Sequence, residues 1–267
     1  MPYRLIATDL DGTLLDQHHA VTPLTAATLQ ALRARGVALV LATGRHYRDV
    51  RAVREALGVP AYLISSNGAR VHGEEDELIF GIDIEAELVR EISAPEFSGD
   101  VAMHYFMDEN WLANRRSPLL DALIREEEPP YAVADLQGHG GEGVYKVLYV
   151  APHEHLLGLE RVLRERYGDR LYITFSLDFC LEVMAAGVSK GEALKLVLDK
   201  LGLAAETCIA FGDGQNDVEL LRTAGHPRLM GNAHARLRGA LPDAEQIYHH
   251  ADSGMARHLR EAFALAD

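Results

Sequence analysis

The stretch from Leu5 to Asp16, "LIATDLDGTLLD", decides how the rest of the chain reads. Its first part, "LIAT", is a continuous apolar run of the kind that forms a strand buried on both faces. Two carboxylates, Asp9 and Asp11, stand at its end, two residues apart. In an extended chain residues i and i+2 share a face, so two negative charges crowd one side. Such crowding raises a carboxyl pKa or calls for a cation. Asp11-Gly12 by itself is a common turn signal, but a turn gives no reason for Asp9 inside the apolar run, where an unpaired carboxylate is costly. Ligands of open α/β sheets sit at the carboxyl ends of strands, and Gly12-Thr13 supplies a turn whose backbone N–H groups can face outward. The pair reads as functional.

Outward from this stretch, strand-like and helix-like segments alternate. A helix opens with Thr22 as N-cap and Pro23 at N1 and stops at Gly36. "VALVLAT" is a second buried strand, followed by a helix from about His46 to Leu57. "AYLISS" is a third strand, and Asn67-Gly68 signals a tight hairpin into "ARVH". From about Asp83 the pattern changes: "VAMHYFMD", "NWLANR", an acidic helical segment around "REEEPP", the loop "QGHGGEG", "VYKVLYVA", a helix from about Glu154 to Tyr167, "RLYITFS" and "CLEVMAA". Several strands with few helices suggest a small antiparallel α+β unit. The first pattern then resumes with "SKGEALKLVLDKLG", "TCIAF", the "GDGQND" turn, a helix, "RLMG" and a last helix from about Ala251. The expected fold is α/β, a doubly wound and mostly parallel core built from residues 1–82 and 187–267, with an α+β insert at 83–186.

The chain's 267 residues are enough for a sizeable core, and its 26 basic against 40 acidic residues give a net charge of −14. That balance argues against nucleic acid or an anionic membrane as partner. Cys180 and Cys208 each lie in an apolar run without C-x-x-C spacing, so both read as buried reduced thiols. The N-terminus shows no signal-peptide core and no apolar stretch approaches about 18 residues, which predicts a cytoplasmic protein. His104, Tyr105 and Trp111 in "HYFMDENW" read as core of a small sheet. The 13 histidines form no pair in a zinc-site setting. The sequence sets no oligomeric state.

Three further constellations carry chemistry. In "FGDGQND", Asp213 follows another buried strand, with Asn216 and Asp217 one turn onward. Seen in isolation this is an Asp/Asn-rich loop with an N-cap; beside Asp9 it completes a cluster of acidic oxygens. Mg²⁺ suits such a cluster, since it takes one or two carboxylates, keeps waters and binds substrate phosphate. In "LATGRHY", Thr43 ends the second strand, and its hydroxyl with the Gly44 N–H can hold a phosphoryl oxygen. Arg45 adds positive charge near that mouth, or is only a solvated charge. In "SKGE", Ser189 and Glu192 form a capping box, which puts Lys190 at N1, where the helix dipole disfavours a cation. Either Lys190 is an exposed lysine that tolerates this, or it reaches into the acidic cluster.

With these pieces in order, the chain resembles the haloacid dehalogenase superfamily of phosphohydrolases. "DLDGTLL" is similar to the D-x-D-G-T motif, Thr43 to the Ser/Thr of the second, Lys190 to the lysine of the third and "GDGQND" to G-D-x-x-x-D. "ATGR", "SNGA", "GVSKG" and "MGNA" resemble stretches of the Cof-type subfamily, and the insert looks like its type-2 cap. The resemblance implies Asp9 as nucleophile and Asp11 as general acid and base, with a pKa raised towards neutral by its neighbour. It implies Mg²⁺ on Asp9, Asp213 and the Asp11 backbone carbonyl, with Asp217 acting through water. Leu10 N–H, Thr43, Gly44, Arg45, Lys190 and Asn216 would hold the phosphoryl group. The implied substrate is a small phosphorylated metabolite, pyridoxal phosphate first and sugar phosphates second. A phosphomutase on the same core and a non-catalytic phosphate sensor are the alternatives.

Overall fold

A computed structural model of the chain describes residues 3–122 and 130–265. The chain divides into two compact units, Met1–Gly81 with Ser189–Asp267, and Ile82–Val188.

The first unit begins with β1 (Leu5–Thr8), a tight turn over Leu10–Leu14, α1 (Pro23–Ala34), β2 (Ala38–Ala42), α2 (Tyr47–Leu57), β3 (Tyr62–Ser65), β4 (Arg70–His72) and β5 (Leu78–Gly81). The second unit holds α3 (Ala86–Ile92), α4 (Pro95–Ser98), β6 (Ala102–Phe106), β7 (Trp111–Ala113), α5 (Pro118–Asp121), β8 (Ala132–Val133), β9 (Lys146–Val150), α6 (His153–Tyr167), β10 (Leu171–Leu177) and β11 (Cys180–Ala185). The chain then returns to the first unit through α7 (Lys190–Leu201), β12 (Cys208–Gly212), α8 (Val218–Thr223), β13 (His226–Leu229), α9 (Ala235–Ala240), β14 (Glu245–Gln246) and α10 (Gly254–Ala262).

The first unit is built on an eight-stranded sheet in the order β14-β13-β12-β1-β2-β3-β4-β5. From β14 to β3 neighbouring strands run parallel, and the β3–β4 and β4–β5 pairs are antiparallel, so β4 alone among these strands runs in the reverse direction. Leaving β1, the chain winds outward through β2 and β3, and it later returns on the other side of β1 through β12 and β13. The reversal makes β1 and β12 the switch point of the sheet, where carboxyl ends open a crevice. Alternation along the buried strands feeds two cores. Ile6, Leu39, Leu41, Ile209 and Phe211 pack with Leu29, Leu32 and Val50 of α1 and α2 and with Met255 and Leu259 of α10. Leu5, Ala7, Val40, Cys208 and Ala210 pack with Leu194, Val197 and Leu221 of α7 and α8. Both faces are covered, which is why these strands read as unbroken apolar runs.

Strand order in the second unit is β10-β11-β9-β6-β7-β8, antiparallel except for the β7–β8 pair. Its core joins Met103, Tyr105, Val147, Tyr149, Leu181 and Val183 from the sheet to Leu88, Val89 and Ile92 of α3 and Leu156 and Leu163 of α6. Tyr105 is core here, its hydroxyl donating to Ser93 (2.5 Å), and His104 is fully buried. The helical segment expected around the acidic run lies outside the described residues. Helices α3, α4 and α9 and strands β5, β8 and β14 have no counterpart in the sequence reading. The Asn67-Gly68 turn is wider than a two-residue hairpin, because Ser65 pairs with Arg70 and four residues lie between. Both cysteines are free and buried, and burial pushes the Cys208 thiol up to about 12.

Candidate active site

Asp9 follows β1 directly. Its backbone is extended (φ −67°, ψ 168°), and its N–H donates to the Phe211 carbonyl of β12 at 3.0 Å, so the strand pairing itself fixes where this carboxylate begins. The chain then turns sharply. Gly12 takes φ +76°, and a Cβ there would lie 2.3 Å from Asp213 Oδ2, so only glycine fits between the two acidic loops. This turn separates the two carboxylates that the sequence places on one face.

Asp9 turns to Lys190, whose Nζ donates to Asp9 Oδ1 at 2.6 Å and to Asp217 Oδ1 at 2.7 Å. Lys190 is completely buried at N1 of α7, beneath the cap in which Ser189 Oγ accepts from Glu192 N–H (3.1 Å). Glu192 directs its carboxylate to Lys195 (2.6 Å). Asp217 is fully buried as well, and its second oxygen accepts the N–H groups of Asp213 and Gly214, both at 2.9 Å. Asp213 accepts from Thr13 Oγ1 (3.1 Å) and Asn232 Nδ2 (3.1 Å), the latter also holding the Gly12 carbonyl (2.8 Å). Carboxylate oxygens of Asp9, Asp213 and Asp217 lie within 4.8 Å of one another.

The electrostatics follow from this crowding. Burial, outweighing the attraction of Lys190, holds the Asp9 carboxyl well above the usual range, and the charges of Asp217 and Asp213 add to the rise. Asp213 is lifted to about 7 by burial and by Asp217. Lys190 is penalised by burial, yet the carboxylates of Asp217 and Asp9 more than compensate and keep it charged. With only one ammonium among three acids, ionising them all is costly, a cost that a divalent cation with oxygen ligands would offset.

Asp11 has a different set of partners. Arg45 grips it from two nitrogens, Nε to Oδ2 at 2.7 Å and Nη2 to Oδ1 at 2.5 Å, and His19 Nδ1 lies 2.9 Å from Oδ1. Burial pulls its pKa up, but the hydrogen bonds from His19 and Arg45 and the guanidinium charge prevail and hold it below the usual carboxylate range. The expected rise towards neutrality is therefore corrected: in this arrangement Asp11 is a paired carboxylate, because a cation of its own answers the repulsion from Asp9. Its side chain is also outside the three-acid cluster.

Leu10 is buried, its carbonyl accepting from Leu15 N–H (2.9 Å). Thr43, 2% exposed at the end of β2, accepts the Arg45 N–H on Oγ1 (3.2 Å), with half-buried Gly44 between them. Asn216 is buried and donates Nδ2 to Asn67 Oδ1 at 3.0 Å. Thus Asp9, Lys190, Asp213 and Asp217 are brought into direct contact, Arg45 is drawn to Asp11, and Asn216 is tied to Asn67. Thr13, His19, Asn67 and Asn232 went unread as site residues. The signals available for them were a turn threonine, a loop histidine and the asparagines of "SNGA" and "MGNA", none of which shows its partner in sequence.

The fold and this pocket define a class, and comparison with known sequences agrees. The sequence profile of the haloacid dehalogenase-like hydrolases matches residues 6–259, and the chain belongs to that family. It is an enzyme of the phosphatase type found there. A Haemophilus influenzae protein is 40% identical, covering 99% of this chain and 98% of its own length. The HMP-PP phosphatase of Serratia proteamaculans is 37% identical over 97% of this chain and 94% of its own. Among solved structures, a Thermotoga maritima protein superimposes with a TM-score of 0.81 at 25% identity, covering 97% of both chains.

Proposed function

We propose that this enzyme hydrolyses small phosphorylated metabolites through a phosphoenzyme formed on Asp9. The observation that carries the reading is the buried Asp9 carboxylate at the sheet's switch point, paired with Lys190 beside Asp213 and Asp217. An Asp9 oxygen attacks phosphorus in line, the bond to the bridging oxygen of the ester or diphosphate breaks, and the leaving oxyanion takes a proton. Once Arg45 and His19 have released it, the Asp11 carboxylate takes up a proton from solvent, delivers it to the leaving oxygen, and regains one from the water that cleaves the acyl phosphate. Lys190, Thr43, the Leu10 and Gly44 N–H groups and Asn216 hold the phosphoryl oxygens, so most of the rate comes from positioning and charge.

The donor set fits Mg²⁺. Asp9, Asp213 and the Asp11 carbonyl are hard oxygen ligands, and the 4.8 Å limit on the acid oxygens is close to the roughly 4.2 Å that separates opposite ligands of that ion. Bound there, the ion would neutralise charge between nucleophile and phosphoryl group. Asp217, saturated by Lys190 and two backbone N–H groups, fits an orienting role.

The name of the Serratia relative puts HMP-PP first in the substrate panel, ahead of pyridoxal phosphate and sugar phosphates. The deciding experiment measures inorganic phosphate release across that panel, with EDTA and with restored Mg²⁺. Release abolished by chelation and recovered with Mg²⁺ is expected. Turnover indifferent to EDTA would remove the metal from the reading, and stable ester binding without release would leave a sensor.

A further inference from the structure

The turn Ser66-Asn67-Gly68 is more constrained than a connection between β3 and β4 requires. Ser66 (φ 47°) and Asn67 (φ 55°) are consecutive non-glycine residues in the left-handed region. Each such residue costs on the order of 1 kcal/mol or more, and such strain persists only where the surroundings impose it. All three residues are completely buried. Ser66 N–H donates to the Arg45 carbonyl and Asn67 N–H to the Thr43 carbonyl, both at 2.9 Å. A Cβ on Gly68 would lie 2.4 Å from the Ser189 carbonyl, so the turn abuts the residue that opens α7. Asn67 Oδ1 meets Asn216 Nδ2, 149 residues away in sequence. Three segments that supply phosphoryl ligands in the proposed reaction, 43–45, 189–190 and 216, therefore converge on these three residues.

We infer that Asn67 is a positioning residue for phosphate binding: held left-handed by Thr43 and Arg45, it fixes the Asn216 amide so that the remaining N–H of Nδ2 is aimed at a phosphoryl oxygen. The inference rests on the proposed phosphatase reading. An ordinary hairpin accepts asparagine in this conformation too, but it leaves that side chain to solvent, whereas Asn67 is completely buried with its oxygen on Asn216. Asparagine tolerates that backbone and adds the acceptor that Asn216 requires.

Asn67→Gly keeps the left-handed backbone and deletes only the amide. Expected are a cooperative melt with a modestly lowered Tm, because the buried Asn216 amide loses its acceptor, a loss in kcat/KM of about 10- to 100-fold, and weaker binding of inorganic phosphate by calorimetry. Asn216→Ala should show the same losses, and the double variant should be no worse than Asn216→Ala, since both act through one contact. Parental kinetics in either single variant, losses that multiply in the double variant, or a lowered Tm with unchanged phosphate affinity would each overturn the inference. If the parent enzyme releases phosphate from no ester in the panel, the phosphatase reading fails instead, and the calorimetric comparison still decides the role of Asn67.

Discussion

Lys190 shows how one side chain sets the character of this pocket. A buried lysine at a helix N-terminus faces both desolvation and an adverse dipole, and here two carboxylates at 2.6 and 2.7 Å reverse that balance. Lys190→Met would leave Asp9 and Asp217 buried without their cation, a change that typically costs about 3–5 kcal/mol; urea unfolding at neutral pH should register a loss of that size. Asp9→Asn behaves oppositely. Burial already disfavours the charged form of Asp9, and Lys190 keeps Asp217 in the variant. Thermal melts should place its Tm no lower than the parent's, while phosphate release falls by several orders of magnitude. Substantial retained turnover would reject the nucleophile assignment. Both residues were legible in the sequence for the same reason: each sits where its charge contradicts its local setting, Asp9 at the end of an apolar run and Lys190 at N1. Arg45 had no such contradiction, and its choice of Asp11 over a phosphate position depends on a turn geometry that Gly12 creates.

At the scale of elements, legibility tracked whether the sequence alone sets the boundary. Helices α1 and α7 announce themselves through Thr22-Pro23 and Ser189; Thr22 accepts from Thr25 N–H at 3.2 Å and Ser189 from Glu192 N–H, but the return half of the expected capping box is missing because the Glu192 carboxylate is taken by Lys195. Strand β5 is partly exposed and does not alternate, and β14 is two exposed residues long, paired in register with β13. Neither carries a periodic signal, because pairing rather than side-chain burial defines them. Strand β6 raises a different matter. His104 on it is fully buried, its Nδ1 accepts from Trp111 Nε1 at 3.2 Å, and Nε2 has no partner among the described residues. Burial, aided by Lys146 and opposed by Asp121, lowers its pKa to about 4. The folded state thus binds this proton less readily than the unfolded chain does. Its stabilising effect is complete above the ordinary histidine pKa of about 6.5 and is lost as pH falls towards 4. Chemical denaturation across that window should show the parent losing on the order of 3 kcal/mol more than His104→Gln, and equal slopes would place the lost protons elsewhere.

For the whole molecule, the doubly wound core followed from alternation of apolar runs with capped helices, and the antiparallel character of the insert followed from many strands with few helices between them. What the order of residues withheld was the pairing across distance: which asparagine meets which, and which acid each cation chooses. Those are decided only when the sheet assembles with β12 beside β1. That adjacency bears on how the protein is made. Asp9 is translated early, its counter-charge lies 181 residues downstream, and at about 5–20 residues per second a ribosome needs roughly 9–36 s to bridge the gap. During that interval the nascent chain carries the Asp9 carboxylate with neither its ammonium nor the acids Asp213 and Asp217. Premature termination anywhere before Asp217 is read therefore yields fragments in which this charge cluster cannot assemble, and the pocket is completed in a single late step of biosynthesis.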